Sequence, residues 1–166
     1  LVEGLSAKFF QLRDVKLASP AAVEKAKAKR KDSIEAIAKD LGVNLVIHGM
    51  VRGDAEKISV IVNLEDMAEG KRLWSQEFSG VSGDLLTLED QMYAKLSDKL
   101  ELKATPEELA RGASRPTENI EAYDLYLKGR NALRNSSDLR NVEAAVKFFE
   151  DALKKDSRFA LAYTGE

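Results

Sequence analysis

His48 is the one histidine among the 166 residues, and there is no cysteine. Protein zinc sites take three or four ligands, drawn mostly from those two residue types. The acids near His48 fall in turns, so the sequence offers no metal site, and His48 reads as a strand residue beside a helix or at the surface. A serine–histidine–aspartate arrangement is not excluded by spacing. No G-x-S-x-G nucleophile elbow occurs, however. Gly80-Val81-Ser82-Gly83 sets two glycines ahead of a helix, as phosphate-binding loops do. It lacks the lysine and the length of a P-loop and reads as a strand-to-helix turn. No catalytic, metal-binding or cofactor-binding residue is assigned, and the chain is expected not to be an enzyme.

Binding chemistry is better represented. Lys25, Lys27, Lys29, Arg30 and Lys31 form the one concentrated run of charge. Nucleic acid or anionic lipid would suit such a run. It has no interleaved aromatics, Glu24, Asp32 and Glu35 flank it, and the net charge is −2. It therefore reads as a solvated segment, with neither nucleic acid nor membrane as a direct partner. Trp74 and Phe78 could stack on a ligand, but on one side of a strand they more naturally pack. Tyr123 and Tyr126, with Lys128, Arg130 and Arg134, could line a groove for an extended or acidic peptide. The same tyrosines could instead pack between helices.

These residues need elements to position them. Leu1, Leu5, Phe9 and Leu12 share one helical face, and the short run Val15–Ala18 reads as extended. The Ala- and Lys-rich residues 21–31 read as either helical or loose. A helix over 32–41 carries Ile34, Ile37, Ala38 and Leu41, with Asp32 or Ser33 as cap and Gly42 as its left-handed stop. Three strands follow. Leu45, Ile47, Gly49 and Val51 alternate with Val46, His48, Met50 and Arg52. Ile58, Val60, Val62 and Leu64 alternate with Ser59, Ile61, Asn63 and Glu65. Leu73–Phe78 makes the third, with turns at Gly53-Asp54 and Glu69-Gly70. Period-two alternation broken by turn residues predicts an antiparallel meander whose aliphatic face needs a helical cover. Leu85, Leu88, Met92, Leu96 and Leu100 return to helical spacing after Ser82 or Asp84. Thr105-Pro106-Glu107-Glu108 starts a short helix that stops near Gly112. Thr117 is the expected cap of a helix running to about Arg134. Asn135-Ser136-Ser137-Asp138 makes a turn, and Leu139, Val142, Val146, Phe149 and Leu153 repeat at 3-4-3-4. Gly129, Ala145 and Ala152 stand where two antiparallel helices would approach most closely.

VEAAVKFFEDALKKDSRFALAY (142–163) resembles the second helix of a tetratricopeptide repeat running into the next one. Gly129, Ala145, Phe149 and Ala152 match that repeat's small and aromatic positions, and Tyr163 matches the aromatic that opens the following copy. LGVNLVIHGMVRG, KISVIVNLEDMAEGKRLWSQEFSG, LLTLEDQMYAKLSDKL and RPTENIEAYDLYLKGR, in that order, resemble the TolB amino-terminal-like (FlgO-like) α/β domain. In bacteria this domain precedes tetratricopeptide repeats in adenylate cyclase-like, kinase-associated and transcription-regulator-associated proteins. The resemblance implies a segment of a larger bacterial signalling protein. It also implies a sheet that in relatives starts with one further strand. Where relatives carry a membrane segment ahead of this region, it implies a place outside the cytoplasm.

Hydrophobic residues at 44% can build a core, and charged residues at 33% are almost balanced. The expected fold is α+β: a small mixed sheet with an antiparallel three-strand meander covered by helices, then a tetratricopeptide-like hairpin. The expected boundaries are 1–111 for the α/β domain, 112–116 for a linker and 117–166 for the hairpin. The expected function is a non-catalytic scaffold or sensory module with a protein or peptide partner. A small-molecule-sensing α/β domain that regulates an attached cyclase, kinase or transcription-factor domain is the alternative. An open sheet edge or unfinished repeat would allow homo-oligomers.

Overall fold

The structure, a computed structural model, describes residues 1–13, 15–29, 33–54, 56–81, 83–100, 104–134 and 139–163, with the backbone alone for Glu3 and Arg134. The expected caps Asp32 and Ser82 and the turn at 135–138 lie outside the described residues. The chain divides into two compact units, Leu1–Ala113 and Ser114–Glu166.

The first unit contains α1 (Val2–Phe9), α2 (Pro20–Lys29), α3 (Ile34–Leu41), β1 (Leu45–Gly53), β2 (Lys57–Asp66), β3 (Lys71–Val81), α4 (Leu85–Lys99) and α5 (Pro106–Ala113). The strands form one antiparallel sheet in the order β1-β2-β3. The extended stretch Val15–Ala18 joins neither helix nor sheet. Local chemistry sets the boundaries. Ser33 accepts a hydrogen bond from the Ala36 amide, and Gly42 ends α3 at φ 64°, a conformation that only glycine adopts without cost. In the first turn Asp54 Oδ1 accepts from the amides of Glu56 (2.8 Å) and Lys57 (2.9 Å). In the second, Asp66 Oδ1 accepts from Ala68 (2.8 Å) and Glu69 (3.1 Å), with Gly70 at φ 62°. Asp84 caps α4 through the Thr87 amide. Thr105 and Glu108 cap α5 reciprocally, at 3.2 and 2.9 Å.

The core of this unit joins Phe9 and Leu12 to Val60, Val62 and Phe78 of the sheet and to Leu88, Met92, Tyr93 and Leu96 of α4. Burying side chains of this size contributes about 1.5–3 kcal/mol each. Trp74 packs on its margin, its ring 6.1 Å from that of Phe78. The cover reaches β2 and β3 but leaves much of β1 open. Val60 and Leu64 are buried, while their register partners Val51 and Ile47 remain 55% and 40% exposed. Helix α5 continues through Gly112, where the sequence suggested that a linker begins. A Cβ there would run into the Tyr93 hydroxyl and lie 3.0 Å from the Lys8 carbonyl. The glycine thus permits close helix packing.

The second unit contains α6 (Ile120–Arg134), α7 (Leu139–Lys155) and the single turn α8 (Ala160–Tyr163). Asn119, not Thr117, caps α6: its Oδ1 accepts from the Ala122 amide at 3.0 Å. Thr117 Oγ1 instead accepts from the Asn119 amide and donates to Asp156 Oδ2 at 2.6 Å. Asn119 Nδ2 also donates to the Lys155 carbonyl, and Lys155 pairs with Glu121. These contacts tie the start of α6 to the end of α7, so the two helices form an antiparallel hairpin. Among the described residues, no helix is long and apolar enough to cross a membrane.

Candidate functional site

The hairpin closes on one glycine. A Cβ built on Gly129 would stand 2.5 Å from the Phe149 ring, so the aromatic of α7 lies directly against the α6 backbone. Ala145 and Ala152, one turn to either side of Phe149, are fully buried with Ala122 of α6. Small residues around one large ring let the helices approach without a void.

Tyr123 and Tyr126 are buried in this interior, which corrects the reading that places them on a binding groove. Their rings lie 6.2 Å apart. Tyr126 meets Phe149 at 5.9 Å and Phe159 at 5.1 Å. The Tyr126 hydroxyl accepts from Arg130 at 2.9 Å, and the guanidinium carbon lies 5.8 Å from the ring centre. Arg130 is thus committed to the tyrosine. Lys128 is half exposed and pairs with Asp124 one turn earlier. The Arg134 side chain lies outside the described residues.

Phe159 occupies the place that the sequence assigned to Tyr163. Phe159, immediately ahead of α8, and Ala162 within it stand three residues apart, and both are fully buried. Tyr163 is 56% exposed, and its hydroxyl donates to the Ser157 carbonyl at 3.3 Å. The signal for Phe159 was its spacing: residues 159 and 162 continue the buried series 145, 149 and 152 past the break at Asp156. That aspartate accepts from Thr117 and the Arg158 amide, which hold its carboxyl below the usual range.

The first unit carries two polar groupings. On the outer face of the sheet, His48 Nε2 lies 3.1 Å from Glu65 Oε1, and Arg72 donates to the same oxygen at 3.1 and 3.3 Å. The imidazole first, then the guanidinium, hold the Glu65 carboxyl below its ordinary value. His48 is thus a strand residue in a partly buried pair, its Nε2 shielded from solvent beside Glu65. Among the described residues no three histidine, aspartate or glutamate side chains gather as a metal site would require. A groove of about 510 Å³ runs between α4 and α5, lined in part by Asp90, Tyr93, Ser97, Asp98 and Leu109. Lys8, buried beside it, donates to Asp90 at 2.9 Å and to the Ala113 carbonyl at 3.3 Å. Burial pushes the Tyr93 phenol above its usual range.

No protein-family model matches the chain. Over 130 residues, 78% of its length, it is 29% identical to "Putative adenylate cyclase 3" of Rhizobium meliloti (strain 1021). The chain spans about a fifth of that relative, 22% of its length. Among solved structures it is similar to the LpoB C-terminal domain from Salmonella enterica, with a TM-score of 0.34 and 19% identity. That similarity covers 39% of this chain and 56% of the other.

Proposed function

We propose that the chain is a non-catalytic interaction module of a larger bacterial signalling protein, with the helical hairpin as a tetratricopeptide-type element that binds another protein. The observation that carries this reading is the contact between Gly129 and Phe149, flanked by fully buried Ala145 and Ala152 and followed by a third helix start that docks through Phe159 and Ala162. Stacked helical pairs of this kind present an outer surface to partners while small residues hold the pairs together. The similarity to part of a cyclase-named protein supports a signalling context. In this reading, cyclase, kinase or transcription-factor activity belongs to other parts of the protein.

With both tyrosines inside, partner contact falls to charged positions such as Lys128. Proteins captured on the intact chain and identified by mass spectrometry are expected to bind Lys128→Glu about tenfold more weakly, a change of about 1.4 kcal/mol. Equal binding by the variant would overturn the assignment of that surface. Purified chain given ATP and magnesium is expected to form no cyclic nucleotide, and a measurable product would overturn the non-catalytic reading.

A second reading takes the α4–α5 groove as a small-molecule sensing site. The observation that favours it is a concave surface combining an apolar floor with the Asp90 carboxylate and the Tyr93 hydroxyl. A ligand for this groove would raise the melting temperature of the intact chain. Substitution of Ser97→Trp, which fills the groove, would abolish that rise.

A further inference from the structure

Helix α5 is fastened to the first unit by polar contacts more than by buried apolar surface. Its buried residues are Glu108 and Gly112, and Leu109, its one large apolar side chain, packs only partly buried against the core. Helix α4 by contrast buries Leu86, Leu88, Met92, Tyr93 and Leu96. A groove of about 510 Å³ separates α5 from α4 over part of its length. The fastenings are specific. Tyr93 donates its hydroxyl to the Leu109 carbonyl at 3.4 Å, and Arg13 Nε lies 3.4 Å from Glu108 Oε1. Lys8 donates to the carbonyl of Ala113, the last residue of the helix, at 3.3 Å. A cation at that end also meets the negative pole of the helix. Elements with little buried apolar contact open at low free energy, and a helix of 8 residues does not persist in water once detached.

We propose that α5 is a releasable strap, which detaches and melts while the sheet and α4 stay folded and so switches the tether to the second unit between two lengths. Docked, the tether is residues 114–117, which span at most about 14 Å; released, it is residues 106–117, which span up to about 40 Å. Thr117 is the far end in both states, because its hydroxyl is held by Asp156. Lys8 is the clasp. It stands in α1, reaches Asp90 of α4 at 2.9 Å and Ala113 of α5 at 3.3 Å, and joins three helices through one ammonium group. Gly112 is the seat, since a Cβ there would run into the Tyr93 hydroxyl. The switch requires neither ligand nor partner, so it stands or falls apart from the hairpin's binding role.

Native-state hydrogen exchange of the intact chain tests this. The amides of residues 109–113 are expected to exchange roughly a hundredfold faster than those of Met92 and Leu96, at a rate that barely changes in low urea, as local opening requires. Lys8→Met, which removes the ammonium group, is expected to speed exchange in α5 about tenfold relative to α4. Gly112→Ala separates docking from helix propensity. Alanine favours a free helix and would slow exchange in an undocked α5. In a docked α5 it wedges against Tyr93 and speeds exchange. The tether is read separately. Because the native chain has no cysteine, spin labels at Lys95→Cys and Glu150→Cys, both exposed positions, report the separation of the two units. Gly112→Ala is expected to add a longer and broader population of distances. Exchange of α5 at the α4 rate with the same urea dependence would overturn the strap, and so would slower exchange in Gly112→Ala. An unchanged distance distribution in a variant whose α5 exchanges faster would overturn the change of tether.

Discussion

A methyl group on residue 129 has nowhere to go while Phe149 holds its place. Alanine is the better helix former by about 1 kcal/mol, but forcing atoms into a packed interior costs about 1–3 kcal/mol. Gly129→Ala is therefore expected to lower the stability of the hairpin by about 1 kcal/mol net, and Gly129→Leu to prevent its closure. Urea unfolding followed by far-ultraviolet circular dichroism measures both. Asp156 supplies a pH dependence at the same scale. Its folded carboxyl titrates lower than its unfolded one, because Thr117 and the Arg158 amide bond to the ionised form. Its contribution is complete above the unfolded pKa and is lost as pH falls through the folded value. Thr117→Val is expected to raise the Asp156 pKa toward the ordinary range, read by carboxyl-selective NMR titration. An unchanged titration would show that the threonine contact does not form in solution.

Helix starts and strand turns carry the most legible part of the fold. Ser33, Asp84 and Thr105 cap their helices as their positions indicate, and Asp54 and Asp66 organise the two hairpin turns. Asp84→Ala is expected to cost about 1 kcal/mol, the usual value of a lost N-cap, visible as a lower urea midpoint of Trp74 fluorescence. Thr117 and Asn119 are both good caps two residues apart, and only the pull of Asp156 on the threonine hydroxyl decides between them. The tyrosines mislead for a related reason. Helical spacing puts Tyr123 and Tyr126 on one face but does not say whether that face looks outward. Phe159, distant in the chain, decides it by packing on both. The same limit applies to β1. Its alternation is as regular as that of β2, yet exposure depends on how far the covering helices reach, which is a tertiary property.

At the scale of the molecule, each unit has a buried core of its own. Phe9, Val62 and Leu96 belong to one, and Tyr126, Phe149 and Phe159 to the other. Trp74, the single tryptophan, reports on the first unit only. Gly129→Ala is expected to move part of the circular dichroism transition while leaving the Trp74 fluorescence transition in place. Coincident shifts of both signals would show that the units unfold as one. The α4–α5 region offers a separate handle on the first unit. The Lys8 amine is enclosed by Asp90, the Ala113 carbonyl and the Tyr93 ring, while Lys25, Lys29 and Lys39 stand in solvent. An acylating reagent will therefore label the surface amines within seconds and reach residue 8 only in molecules that have momentarily come apart. The mass-spectrometric yield at that one position becomes a clock for the opening of the domain, without any probe having to be introduced.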